Sequence, residues 1–139
     1  MTEVVAYIDG GSRGNPGPAG YGVRIEDSQG GLIAELREAL GVATNNVAEY
    51  RGLLAALAFL VAQNSRVARI RSDSELLIRQ MRGEYRVKHP ALVPLHREAA
   101  LLASRLERVT FEHVPRAANA EADRLANLAM DEGVLNLEP

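Results

Sequence analysis

No cysteine occurs among the 139 residues, which excludes disulfides and thiolate metal sites and fits a reducing, cytoplasmic setting. Any metal must then be held by carboxylate, imidazole or carbonyl groups. Long apolar runs are also lacking. None approaches the roughly 18 residues of a membrane span, and the first residues show no secretory-signal pattern, so no membrane partner is expected. Lysine is nearly missing: Lys88 stands alone, and the phosphate-cradling pattern Gly-x-x-x-x-Gly-Lys-Ser/Thr does not occur. Net charge is only −2, so bulk electrostatics do not announce a nucleic-acid binder. The charge is uneven, however. Arg66, Arg69, Arg71, Arg79, Arg82, Arg86 and Lys88 face only Asp73, Glu75 and Glu84 in the same stretch. That segment is either a basic patch or an ordinary solvated face.

What is present suits one soluble domain with a real core: 47% of residues are hydrophobic and 24% charged. Residues 3–9 are nearly all apolar and β-branched, as for a strand buried on both faces. The stretch from Gly10 to Pro18 reads as turn, and strands follow at 20–27 and 31–39, split by Asp27-Ser28-Gln29-Gly30-Gly31. Asn45 or Asn46 can cap a long, mostly apolar helix to about Gln63. Then come a strand over 67–73, helices over 75–82 and 90–106, a strand over 109–114 and a helix over 119–131. The order βββαβααβα predicts an α/β fold, a mixed sheet flanked by helices, with the domain over 1–131 and a short tail over 132–139. Val134, Leu135 and Leu137 give that tail the choice of docking or staying loose.

Four acids stand where acids are costly. Asp9 ends the first strand, and Asp73 ends the fourth, which should run parallel to the first because a long helix precedes it. Ligand sites in such sheets gather at these carboxyl ends. Glu49 is in helical register with Leu53, Leu57 and Leu60, where burying even a neutral polar group unpaired costs about 2–7 kcal/mol. Asp123 lies one turn after Asn119. Each has a plainer explanation: Asp9-Gly10 as a turn, Asp73-Ser74 as a helix cap, Asp123 as an answer to its helix dipole, Glu49 as half of a buried salt bridge. Together they describe a strand-end cleft of carboxylates without lysines, and oxygen-only ligation of that kind suits Mg²⁺ or Mn²⁺.

Four segments then carry a resemblance. Asp9-Gly10-Gly11-Ser12-Arg13-Gly14-Asn15-Pro16-Gly17, Thr44-Asn45-Asn46-Val47-Ala48-Glu49, Ser72-Asp73-Ser74 and Asn119-Ala120-Glu121-Ala122-Asp123 resemble, in order, the motifs of type 1 ribonucleases H. The resemblance implies a ribonuclease H-like fold with a five-stranded mixed sheet, and Asp9, Glu49, Asp73 and Asp123 as ligands of two Mg²⁺ ions, with Mn²⁺ able to substitute. It implies endonucleolytic cleavage of the RNA strand of an RNA–DNA hybrid by a monomer, leaving 5′-phosphate and 3′-hydroxyl ends. Gly11, Ser12 and Arg13 would lie along the RNA, whose 2′-hydroxyls tell it from DNA. Asn15, Asn45 and Asn46 would meet the minor groove, and Thr44 a DNA phosphate.

The chain departs from the pattern in places. Family members carry a histidine in the loop before the last helix; here His113 falls within the predicted strand, and the loop offers Arg116, which is expected to take the accessory catalytic role. His89 and His96 have no motif around them and read as surface residues. Residues 83–89 are too few for the basic protrusion of longer relatives, and Glu75 replaces a frequent glutamine. Two alternatives remain, a hybrid-binding module without catalysis and another nuclease of the same superfamily. A phosphatase with Asp9 as nucleophile wants Asp-x-Asp, and Gly11 occupies the third position.

Overall fold

A computed structural model describes residues 3–137. The elements run β1 (Val4–Ser12), β2 (Gly17–Glu26), β3 (Leu32–Ala43), α1 (Asn45–Ala62), β4 (Val67–Ser72), α2 (Glu75–Met81), α3 (Val93–Ala103), β5 (Arg108–His113), a 3₁₀ turn (Arg116–Asn119) and α4 (Ala120–Leu137). The sheet order is β3-β2-β1-β4-β5, antiparallel from β1 to β3 and parallel from β1 through β4 to β5. The hairpin turns make the antiparallel half, and the α1 crossover forces β4 to run with β1. The expected five-stranded mixed sheet is therefore the observed one.

Helices press on both faces. Leu53, Leu57 and Leu60 of α1 join Ala6, Ile8, Val23, Ile25, Ala68 and Ile70 of the sheet in one buried cluster. Two glycines set how close the helices come. A Cβ on Gly10 would stand 2.4 Å from the Ala48 carbonyl carbon and the Glu49 nitrogen in α1. A Cβ on Gly22 would stand 2.5 Å from the Ala122 oxygen and the Ala126 nitrogen in α4. Gly22 pairs with Asp9, the neighbour of Gly10, so the two glycines face opposite sides of the sheet. Gly22→Ala must push α4 outward against its own backbone. It should cost about 3 kcal/mol or more and lower the melting temperature by about 10 °C; a melt within about 2 °C of wild type would show that α4 yields freely.

Several boundaries differ from the sequence reading. Gly10, Gly11 and Ser12 are strand, paired with Tyr21, Gly20 and Ala19, because glycines are the residues that fit between closely packed helices. β1 is buried on one face only, at Ala6 and Ile8, while Val5 and Tyr7 on the other are half-covered. β3 runs beyond residue 39 through a bulge at which Gly41 takes φ 71°. Thr44, not Asn45 or Asn46, caps α1, its hydroxyl accepting from the Val47 N–H at 3.2 Å. Pro94 in the first turn of α3 delays that helix to Val93. His96 is half-buried, edge-on to Tyr50 with ring centroids 6.4 Å apart, rather than a surface residue. The segment read as a tail continues α4 through residues 132–137; the Leu137 side chain and residues 138–139 lie outside the described residues. Among the described residues no helix is long and apolar enough to cross a membrane.

Candidate functional site

The site forms where β1 and β4 part. Their ladder ends at the pair Ile8 and Ser72, and the next residue on each strand is an acid, Asp9 and Asp73. Glu49 arrives from α1, whose backbone the bare Gly10 admits. Asp123 arrives from α4, seated over Gly22. The four line one open cavity of about 660 Å³. The plainer explanations fall away for three of them. Asp9 and Gly10 sit inside a strand, not a turn. Ser74, not Asp73, caps α2, through a 3.2 Å bond from the Leu77 N–H. Among the described residues no salt bridge includes Glu49 or any of the other three. Asp123 does lie in the first turn of α4, so the helix dipole also favours it there.

Unpaired acids in a partly dry cleft repel one another. Burial first, then the charges of Asp73, Asp123 and Glu49 and a hydrogen bond with Asp123, push the Asp9 carboxyl up to about 8. Burial likewise raises Glu49 to about 7; a hydrogen bond from Ser74 pulls it back and the charge of Asp73 adds to the rise. A divalent cation would relieve this. Among the described residues no three His, Asp or Glu side chains close tightly enough to cage an ion by themselves. The four carboxylates, oxygen-only and without an ion pair among the described residues, fit a hard divalent cation such as Mg²⁺.

Of the other residues singled out in the sequence, Gly11, Ser12, Arg13, Asn45 and Arg116 line the same cavity. Asn15, Thr44 and Asn46 do not. Asn15 instead accepts from the Asn45 N–H at 3.0 Å, and Asn45 accepts from the Ser12 N–H at 2.8 Å, so this pair ties the Gly-rich loop to the start of α1. Arg13 is held by Asp131 on α4. His113 ends β5, as its strand position suggested, yet it too lines the cavity, with Nε2 3.3 Å from the Asp73 carbonyl. Strand position therefore does not separate His113 from Arg116.

Asn119 is the residue whose place sequence reasoning missed. It is 1% exposed, and its Nδ2 donates to the Ile8 carbonyl at 2.9 Å. Its Oδ1 has no partner among the described residues, a condition that costs about 1–3 kcal/mol. The only signal in the sequence was its fixed spacing from Asp123.

The basic stretch proves largely neutralised. Arg66 pairs with Glu107, Arg69 with Glu3 and Glu112, Arg71 with Glu112, Arg79 with Glu75 and Glu84, and Arg82 with Glu84. Of the seven, only Arg86 and Lys88 show no ion pair among the described residues.

The chain matches a family model described as reverse transcriptase-like over residues 7–129. It is 52% identical over 130 residues to the Mycobacterium tuberculosis bifunctional protein Rv2228c, covering 93% of this chain but 36% of that protein. It thus spans about a third of that relative's length. The N-terminal RNase H domain of Rv2228c, solved as a fusion with maltose-binding protein, superposes with a TM-score of 0.95 at 48% identity, covering 99% of this chain and 100% of that one. RNase H1 from the halophilic archaeon Halobacterium salinarum is 41% identical, with a TM-score of 0.90 and coverage of 94% and 98%. LC11-RNase H1, solved in complex with an RNA/DNA hybrid, is 41% identical with a TM-score of 0.88 and coverage of 94% and 99%. With this fold, these relatives and an unpaired acid from each of β1, α1, the end of β4 and α4, the chain belongs to the reverse transcriptase-like family and, within it, to the type 1 ribonucleases H.

Proposed function

We propose that this chain is an endonuclease that hydrolyses the RNA strand of RNA–DNA hybrids with the help of divalent cations. The carrying observation is the single cavity in which Asp9, Glu49, Asp73 and Asp123 meet beside the Gly11–Arg13 edge and Asn45. The LC11 relative crystallised on a hybrid supports the substrate class. One chain supplies all of these residues, so the reading needs no second copy. All four acids are present, which favours catalysis over a binding module that has lost it.

Asp9, Glu49, Asp73 and Asp123 would hold two Mg²⁺, or Mn²⁺ in their place. When bound, the pair activates water and stabilises the leaving 3′ oxygen of an in-line displacement. The protein's part is to keep the carboxylates apart from internal cations and to aim the RNA. Backbone groups of Gly11 and Ser12, and the Asn45 side chain that fixes them, suit recognition of 2′-hydroxyls along the shallow groove. Arg13 can exchange its exposed contact with Asp131 for a strand phosphate at little cost, since exposed ion pairs are weak.

Arg116 lies in the cavity wall without an ion pair among the described residues. An arginine cannot serve as a base, but it can neutralise charge on the phosphate. His113 faces the same space from the end of β5. Arg116→Ala should lower turnover at least about tenfold at every pH, the scale of a lost electrostatic contact to the transition state. His113→Ala, at the last residue of a strand, should stay within about threefold of wild type. Steady-state kinetics of the two variants check both; a crippled His113→Ala beside an unimpaired Arg116→Ala would give the accessory role to His113 instead.

The route of hydrolysis is tested by the product ends. Water attacking in line leaves a 5′-phosphate and a 3′-hydroxyl. If mapping of cleaved hybrid RNA finds 2′,3′-cyclic phosphates instead, the 2′-hydroxyl was the nucleophile and this reading of the acids is wrong.

A further inference from the structure

The β1–β4 ladder has a last pair, Ile8 and Ser72, and the strands then diverge to open the cavity. At that fork the Ile8 carbonyl takes its hydrogen bond from a side chain, the Nδ2 of Asn119, at 2.9 Å. The orientation of the amide is dictated chemically: Ile8 offers only an acceptor there, so the nitrogen must face it. The oxygen is then left buried with no donor. A buried polar group kept with half of its capacity unused calls for an explanation other than stability. Asn119 ends the 3₁₀ turn, and α4 with Asp123 begins at the next residue. One side chain therefore connects the residue before Asp9 to the helix that carries Asp123.

We propose that Asn119 is a positioning residue that clamps the end of β1, at its fork with β4, to the start of α4 and so fixes the separation of Asp9 from Asp123. The proposal rests on the reading of the cavity as the hydrolytic site. Leucine has nearly the shape of asparagine and removes the orphaned Oδ1, but it cannot donate to Ile8, whose buried carbonyl then loses this partner. Asn119→Leu exchanges one orphaned acceptor for another and should leave the melting temperature near that of wild type, yet lower kcat on a hybrid at least about tenfold, since small displacements of reacting groups cost that much or more. KM should stay within about threefold, because Ser12, Arg13 and Asn45 are untouched. Asn119→Ala, which adds no apolar bulk, should show the same kcat loss at a temperature where circular dichroism reports it folded.

A third measurement is independent of activity. In metal-free protein, amide hydrogen exchange at residues 9–11 should quicken at least about tenfold in Asn119→Leu, while α1 and α3 stay unchanged. If wild type cuts no hybrid but exchange at residues 9–11 quickens, the clamp stands and the functional reading fails. If kcat holds within about threefold of wild type, or exchange is unchanged, Asn119 is a packing residue and the proposal is wrong.

Discussion

Asp9→Asn is expected to abolish hybrid cleavage and, in the absence of divalent metal, to make the protein more stable. The two effects share one cause. Asp9 sits in the middle of the acidic group, between Asp73, Asp123 and Glu49, and burial adds to their repulsion. Asparagine keeps the shape and removes the charge, so the metal-free fold gains by the repulsion it no longer bears, on the order of a few kcal/mol. The same change removes a carboxylate oxygen from the place where a cation and the scissile phosphate would meet. Losses of more than about a thousandfold are expected, in the range of other essential electrostatic groups. Thermal melts in EDTA and cleavage assays in Mg²⁺ on one preparation check this. A variant that retains most of its Mg²⁺-dependent activity would remove Asp9 from the mechanism, whatever its stability.

Stability of the metal-free chain should fall as pH rises, the reverse of ordinary acid denaturation. Asp9 moves from 3.8 to about 8 on folding and Glu49 from 4.5 to about 7. The folded state thus binds these protons more tightly than the unfolded state does. Their contribution is fully present below about pH 4 and is lost as pH climbs through 7 and 8, with a slope of up to about 1.4 kcal/mol per pH unit for each proton. Glu112 works the other way but in a lower window. Burial alone would raise its carboxyl, while hydrogen bonds and charge from Arg71 and Arg69 bring it net below 4.5. Between pH 5 and 8 the site acids therefore set the trend. Urea unfolding in EDTA at several pH values should show the decline, flattened in Asp9→Asn and reversed by millimolar Mg²⁺. A metal-free wild type equally stable at pH 5 and pH 8 would mean that the acids do not crowd one another.

The acids were legible in the sequence for reasons that concern single residues. Glu49 stood out because its helical register with Leu53, Leu57 and Leu60 put a charge on a face that is indeed buried. Asp73 was visible as the end of a strand whose direction the crossover helix dictated. Local signals were less informative where tertiary packing overrode them. Gly10 and Gly11 read as turn because glycine alone does not say that two helices will press on a strand. The arginines of the middle segment left a basic patch and an ordinary solvated face equally open, because partners such as Glu3, Glu107 and Glu112 are distant in sequence. His113 was set aside on secondary structure, although a strand's last residue opens onto the same cleft as the loop beyond it.

The central claim is tested most directly by incubating the wild-type chain with an RNA–DNA hybrid labelled on the RNA strand, beside duplex DNA and single-stranded RNA, in Mg²⁺ and in EDTA. The account predicts internal cuts in hybrid RNA that require the metal, with the DNA strand and duplex DNA intact. Cleavage of duplex DNA at a comparable rate, or hybrid cleavage undiminished in EDTA, would contradict it.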